Sequence, residues 1–312
     1  MKDIINFNAI VKYLERQNLK IDNKTKLKKY IEDNNFNTVI GGYSQIFFKE
    51  KKKKIYDSEA TSSQIIDFYQ FDVDFANHVI RLLLRIEKKL NTSVAYTVIN
   101  AFHIEDRCLF KLNPNFIKQN IFSNLKMVNP PIDFDRIIHL LVKYCETNDN
   151  TKVYKIKNTK DVFLTWSELP LDIMCLTWSF ATTFSVFLAL NDELTEAICE
   201  KFNLDRIYTS GFIDFIKNIL YLRNLISHNY VLYNARIKYQ SEAIRTLYFH
   251  LFKVNVKHIG LIELLKMIEF FSNDDKLIKN TTLFFNKLKL KEKFKKRVKI
   301  FVKGNHNEQE NI

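Results

Sequence analysis

Arg223-Asn224-Leu225-Ile226-Ser227-His228-Asn229-Tyr230 is where this chain concentrates the side chains that do chemistry. A guanidinium grips phosphate oxygens through paired bonds and keeps its charge at every physiological pH. An imidazole gives or takes a proton near neutrality. An amide follows the arginine and a small hydroxyl residue precedes the histidine, so the surroundings are polar and uncrowded. Arg223, Asn224 and His228 are therefore the candidate catalytic set, suited to cleaving a phosphodiester without a metal. The spacing sets a condition. Five residues along an ideal helix turn a side chain by about 500°, leaving Arg223 and His228 about 140° apart, whereas Asn224 and His228 share a face. For both to meet one phosphate, the helix must kink between them or a second subunit must complete the site. A second Arg-x4-His, Arg245 to His250, has bulky Tyr248 and Phe249 before its histidine and reads as helix packing.

The elements that must position these groups are helical. Apolar Phe212 to Leu222 leads into the motif. Phe71, Phe75, Val79, Leu82, Leu83, Ile86, Leu90 and Val94 keep a 3–4 residue period, predicting one long helix entered through Thr61-Ser62-Ser63-Gln64, which has capping-box spacing. Two short helices are expected over 8–34, and others over 137–144, 194–202, 241–252 and 259–271. The Lys49–Lys54 run reads as an exposed turn, and 151–162 as a polar loop. Uncharged Ile173 to Leu190 reads as a buried central helix. It reaches the lower limit for spanning a bilayer, but threonines and serines dilute it and no basic flank adjoins it.

Across its 312 residues the chain carries five glycines and four prolines, which favours an all-α fold. The formal charge of +13 points to a polyanionic partner. The charge concentrates near the C-terminus, where Lys287, Lys289, Lys291, Lys293, Lys295, Lys296, Arg297, Lys299 and Lys303 face the single acid Glu292. Phe294, Val298 and Phe301 mark one apolar face of that segment, and the remaining surface suits an RNA backbone or an anionic membrane. Residues 304–312 read as disordered. Cys108, Cys145, Cys175 and Cys199 form no Cys-x-x-Cys pair, which argues against a zinc site and suits reduced thiols in a cytoplasm. No metal and no cofactor is expected.

The stretch Arg223-Asn224-x-x-Ser227-His228-x-x-x-Leu232-Tyr233-Asn234 resembles the signature of abortive-infection proteins of the AbiD/AbiF type, phage-defence members of the HEPN superfamily. Their pattern is Arg-Asn-x-x-Ala-His, then Arg-Leu-Trp-Asn-Arg. Here Ser227, Val231, Tyr233 and Ala235 replace the alanine, the first arginine, the tryptophan and the last arginine, with Arg236 one step away. Three further stretches resemble family elements in order and spacing over roughly residues 5–240. They are Leu14–Leu19 with Asn35-Phe36-Asn37 and Gly42-Tyr43, then Phe68-Tyr69-Gln70-Phe71-Asp72, then Arg85-Ile86-Glu87.

The resemblance implies a HEPN-like helical bundle, often dimeric, in a metal-independent endoribonuclease. The bundle would occupy 59–275, after an N-terminal helical region at 1–58 and before a basic C-terminal helix and tail at 276–312. The ribose 2′-hydroxyl would attack its own phosphate, with His228 as acid or base, Arg223 neutralising charge and Asn224 orienting. Asn234, Arg236, Lys291, Lys295, Lys296, Arg297 and Lys299 are candidate RNA contacts; Arg85, Glu87 and Tyr233 are candidate supports. The expected partners are RNA, as substrate and as a bound regulatory RNA, and a second copy of the chain; stable membrane insertion is not expected. The alternative is a protein that holds a structured or antitoxin-like RNA without turnover.

Overall fold

A computed structural model describes residues 7–128, 130–142, 145–148, 153–156, 163–165, 170–228, 230–274 and 290–302. The main helices are α1 (Phe7–Arg16), α2 (Lys24–Asn34), α3 (Ser62–Ala101), α4 (Phe134–Val142), α5 (Phe180–Ala189) and α6 (Asp192–Glu200). They continue with α7 (Thr209–Ser227), α8 (Glu242–Phe252), α9 (Leu261–Ser272) and α10 (Glu292–Val302). The fold is mostly all-α, as the sequence predicts. The strands are β1 (Phe48–Glu50), β2 (Ile55–Tyr56), β3 (Cys145–Asn148), β4 (Val153–Ile156) and β5 (Phe163–Thr165). They form an antiparallel hairpin, β1-β2, and an antiparallel sheet in the order β3-β4-β5.

The chain divides into two compact units. The first holds 1–81, 221–238 and 258–312; the second holds 82–220 and 239–257. In the first, Leu14, Leu27, Ile31, Ile46, Phe47, Phe68, Tyr233, Ile268 and Phe294 are core residues. The start of α3 is closed by the expected reciprocal cap: Gln64 N donates to Thr61 Oγ1 at 3.3 Å, and Thr61 N donates to Gln64 Oε1 at 3.1 Å. Within the lysine-rich run, Lys49 and Glu50 belong to β1 and 51–54 form the expected exposed turn, here joining β1 to β2.

In the second unit, Leu90, Val94, Leu141, Phe187, Phe212, Phe215 and Leu247 are buried. Two expectations change there. Residues 151–162 are not all loop, since Val153–Ile156 pairs on both sides as β4, its backbone groups taken up by β3 and β5. Nor is 173–190 one helix. Ser179 leaves the helical conformation and its Oγ accepts from Thr182 N at 3.2 Å, restarting the chain as the ten-residue α5. Burial of α5 is as expected. Among the described residues no helix is long and apolar enough to cross a membrane.

Candidate functional site

The chain around His228 is organised by a buried carboxylate. Asp72, on α3, is 2% exposed. Its Oδ2 accepts from the Tyr43 hydroxyl at 2.7 Å and from Leu232 N at 2.8 Å, and its Oδ1 accepts from Tyr233 N at 2.9 Å. A buried carboxylate is costly unless bonded in this way. Burial pushes the Asp72 carboxyl up to about 6, opposed by the hydrogen bonds from Tyr43, Leu232 and Tyr233. Burial and the neighbouring Asp72 charge push the Tyr43 phenol up in turn.

Around this anchor Tyr43 packs on Phe68 with ring centroids 5.5 Å apart, and Tyr233 packs on Phe68 at 4.7 Å. The Tyr233 hydroxyl donates to Gly42 O at 3.3 Å. A Cβ at Gly42 would lie 2.9 Å from Val231 Cγ2, so only glycine admits this approach. Segments far apart in sequence thus fix the loop that follows the motif. The sequence places Asp72 inside a family-like element but assigns it no role.

The loop pins the end of α7. His228 N donates to Asn224 O at 3.1 Å and Tyr230 N to Leu225 O at 3.0 Å, so helical bonding runs unbroken past Arg223 to His228. The kink that would bring Arg223 and His228 together within one chain is absent. His228 is exposed and lines a cleft of about 650 Å³ with Glu32, Asp33, Asn34, Asn35 and Tyr69. Arg223 is half-buried and Asn224 exposed, and neither lines that cleft. Asn234 is half-buried and Arg236 exposed, while Tyr233 is a structural support.

Glu87 and Arg85 belong to the second unit, Glu87 half-buried and Arg85 exposed. The second Arg-x4-His copy is structural. The His250 ring packs on Tyr208 at 4.0 Å, and Arg245 donates to Gln240 O at 2.8 Å. Asn218, fully buried in that unit, donates to Tyr239 O at 2.9 Å and accepts from Tyr239 N at 3.0 Å, a pairing the sequence did not signal.

The basic C-terminal helix docks within the first unit. Phe294 and Val298 are fully buried, and the Phe294 ring lies 4.8 Å from that of Phe47. Arg297 donates to Ile46 O at 2.8 Å and to Phe48 O at 3.1 Å. Lys293 pairs with Asp57 at 2.7 Å and Glu59 at 2.9 Å, Lys291 with Glu59 at 3.1 Å, and Lys295 with Glu292 at 3.1 Å. Lys296 is exposed. The side chains of Lys299 and Phe301, and the whole of Lys287, Lys289, Lys303 and 304–312, lie outside the described residues. Among the described residues no three His, Cys, Asp or Glu side chains are grouped to hold a metal ion.

The family model of Abi-like proteins matches residues 29–234, most of the chain, and the chain belongs to that family. The match takes in Tyr43, Asp72, Arg223, His228 and Tyr233. No curated protein and no solved structure matches the chain.

Proposed function

From this membership in the Abi-like family we propose that the protein is a phage-defence endoribonuclease of the HEPN type that acts by transesterification. The observation that carries the reading is His228, an exposed imidazole at a helix end, opening on a cleft and backed by a loop that a buried carboxylate anchors. A general acid or base needs that combination of solvent access and fixed position. The ribose 2′-hydroxyl attacks the adjacent phosphorus, the 5′-oxygen leaves with a proton, and the products carry a 2′,3′-cyclic phosphate and a 5′-hydroxyl. His228 moves one of the two protons. Arg223 neutralises the phosphorane, and charge stabilisation of this kind usually contributes more to an enzymatic rate than any other effect. Because the continuous α7 turns Arg223 away from His228, the site is shared between two copies of the chain, with the guanidinium of one serving the imidazole of the other.

The test is the end-group chemistry of RNA incubated with the full-length protein in EDTA. Cyclic-phosphate ends are expected from wild type, and a loss of about 10²–10⁴ in rate from His228→Ala. An oligomer with deoxyribose only at the scissile position should resist cutting. Wild-type rates in a folded His228→Ala protein sink the assignment. Glu32 and Asp33 also line the cleft and work against a phosphate at His228, which favours a second reading, a protein that holds RNA elsewhere on its surface without turnover. Binding with no cyclic-phosphate product would establish it.

A further inference from the structure

The second unit carries a cationic depression that does not include His228. Arg85, Lys88, Lys89, Thr92, Tyr96 and Lys201 line a volume of about 570 Å³, and among the described residues no acid lines it. Arg85, Lys88, Thr92 and Tyr96 follow one another at intervals of three and four, so they form one stripe along α3. The stripe is about 16 Å long at 1.5 Å per residue. That is room for several nucleotides at roughly 3.4 Å each. Tyr96 is 43% exposed, an aromatic face turned to solvent beside cations. Lys89 stands 4.3 Å over the Phe202 ring, and burial lowers its pKa. The Thr92 hydroxyl donates to Lys88 O at 3.0 Å, and Lys201 is exposed on the far wall. Glu200 lines the adjoining depression, which Lys201 also lines.

An apolar floor rimmed by cations is how proteins hold a single strand, with bases stacked on aromatic rings and phosphates on the charges. A duplex offers only its backbone to such a floor. We propose that this depression docks single-stranded RNA, one base lying on Tyr96 and the flanking phosphates on Arg85, Lys88 and Lys201. The proposal rests on the reading of the chain as RNA-directed and gives that reading a second contact surface, separate from the C-terminal basic helix.

The test uses the full-length protein carrying His228→Ala and a short labelled single-stranded oligoribonucleotide, followed by fluorescence anisotropy over a salt series. Lys88→Glu with Lys201→Glu should weaken binding well beyond the charge-matched control Lys118→Glu with Lys257→Glu. It should also lower the log–log salt slope by about 1.4, two phosphate contacts at roughly 0.7 each. Tyr96→Ala should weaken binding about tenfold with the slope unchanged, as loss of one stacked base requires. Affinity and slope equal to the control overturn the proposal, as does an unchanged affinity in Tyr96→Ala. If wild type cuts RNA while the Lys88/Lys201 variant binds like the control, the docking site is wrong and the nuclease reading stands. If RNA binds through Lys88, Lys201 and Tyr96 but is never cut, the docking site stands and the nuclease reading falls.

Discussion

At the scale of single residues, Asp72 does most to shape the site without touching a substrate. Its folded pKa of about 6 lies above its unfolded value, so the folded chain binds the proton more tightly. The stability Asp72 carries is then fully present below about pH 4 and is lost as the pH rises through about 6. Asp72→Asn removes this titration. The stability difference between wild type and variant should therefore shrink by roughly 3 kcal/mol from about pH 4 to about pH 7.5, measured by urea unfolding. A difference that stays flat with pH refutes it. A steric prediction concerns Gly42. Its alanine variant drives a methyl into Val231 Cγ2, at 2.9 Å, and should cost about 1–3 kcal/mol. Val231→Ala should restore part of that loss, and strict additivity in the double-mutant cycle would show that the contact is not the cause.

The sequence shows the Arg-Asn-His stretch because polar side chains interrupt an apolar helix. It does not show Asp72 in this way. Asp72 and Asp74 stand either side of Val73, and composition makes them equivalent; only Asp72 is buried. What separates them is the arrival of Leu232 and Tyr233 from 160 and 161 residues away, and of Tyr43 from 29. No local pattern contains that information.

At the scale of elements, local rules carried further. The Thr61–Gln64 cap and the long period of α3 are readable because helix entry and amphipathicity are short-range. The apolar spacing of Phe294 and Val298 likewise shows that the C-terminal helix has a docking face. Hidden from the sequence were the recipients of its cations, since Arg297 serves the carbonyls of Ile46 and Phe48 some 250 residues earlier in the chain. Ser179 was masked by composition: one hydroxyl inside an uncharged run caps a new helix instead of diluting an old one. The docking predicts a division of labour within α10. Phe294→Ala should cost about 3–5 kcal/mol, because the ring is fully buried against Phe47. Lys296→Glu, at an exposed position, should stay within about 0.5 kcal/mol. Equal effects in thermal or urea unfolding would place the helix on the surface. Removal of everything after residue 286 thus deletes core as well as charge. RNA binding by this helix is better read from Lys296→Glu, through the salt slope.

At the scale of the whole molecule, the unbroken helix turns a local motif into a question of assembly. Arg223 and His228 are about 140° apart on an ideal helix. The hydrogen bond that His228 N donates to Asn224 O leaves no break to bring them together. On the proposed reading, a cleavage needing a proton carrier and a charge stabiliser at one phosphate would be met by two copies related by a two-fold axis, each lending its arginine to the other's histidine. The prediction is a dimer by light scattering at assay concentration, and it has a sharper consequence. Arg223→Ala and His228→Ala should each be inactive alone. Mixed after dissociation and reassociation, half of the assemblies pair one variant with the other. Each such pair holds one site with an intact arginine from the His228→Ala chain and an intact histidine from the Arg223→Ala chain. Activity should return to about a quarter of wild type, since half the dimers carry one good site of two. A site built within one chain predicts no recovery, because every subunit then lacks one of its two groups. Complete silence in a mixture shown to contain the heterodimer would therefore rule out the shared site and require Arg223 to reach the phosphate from its own chain.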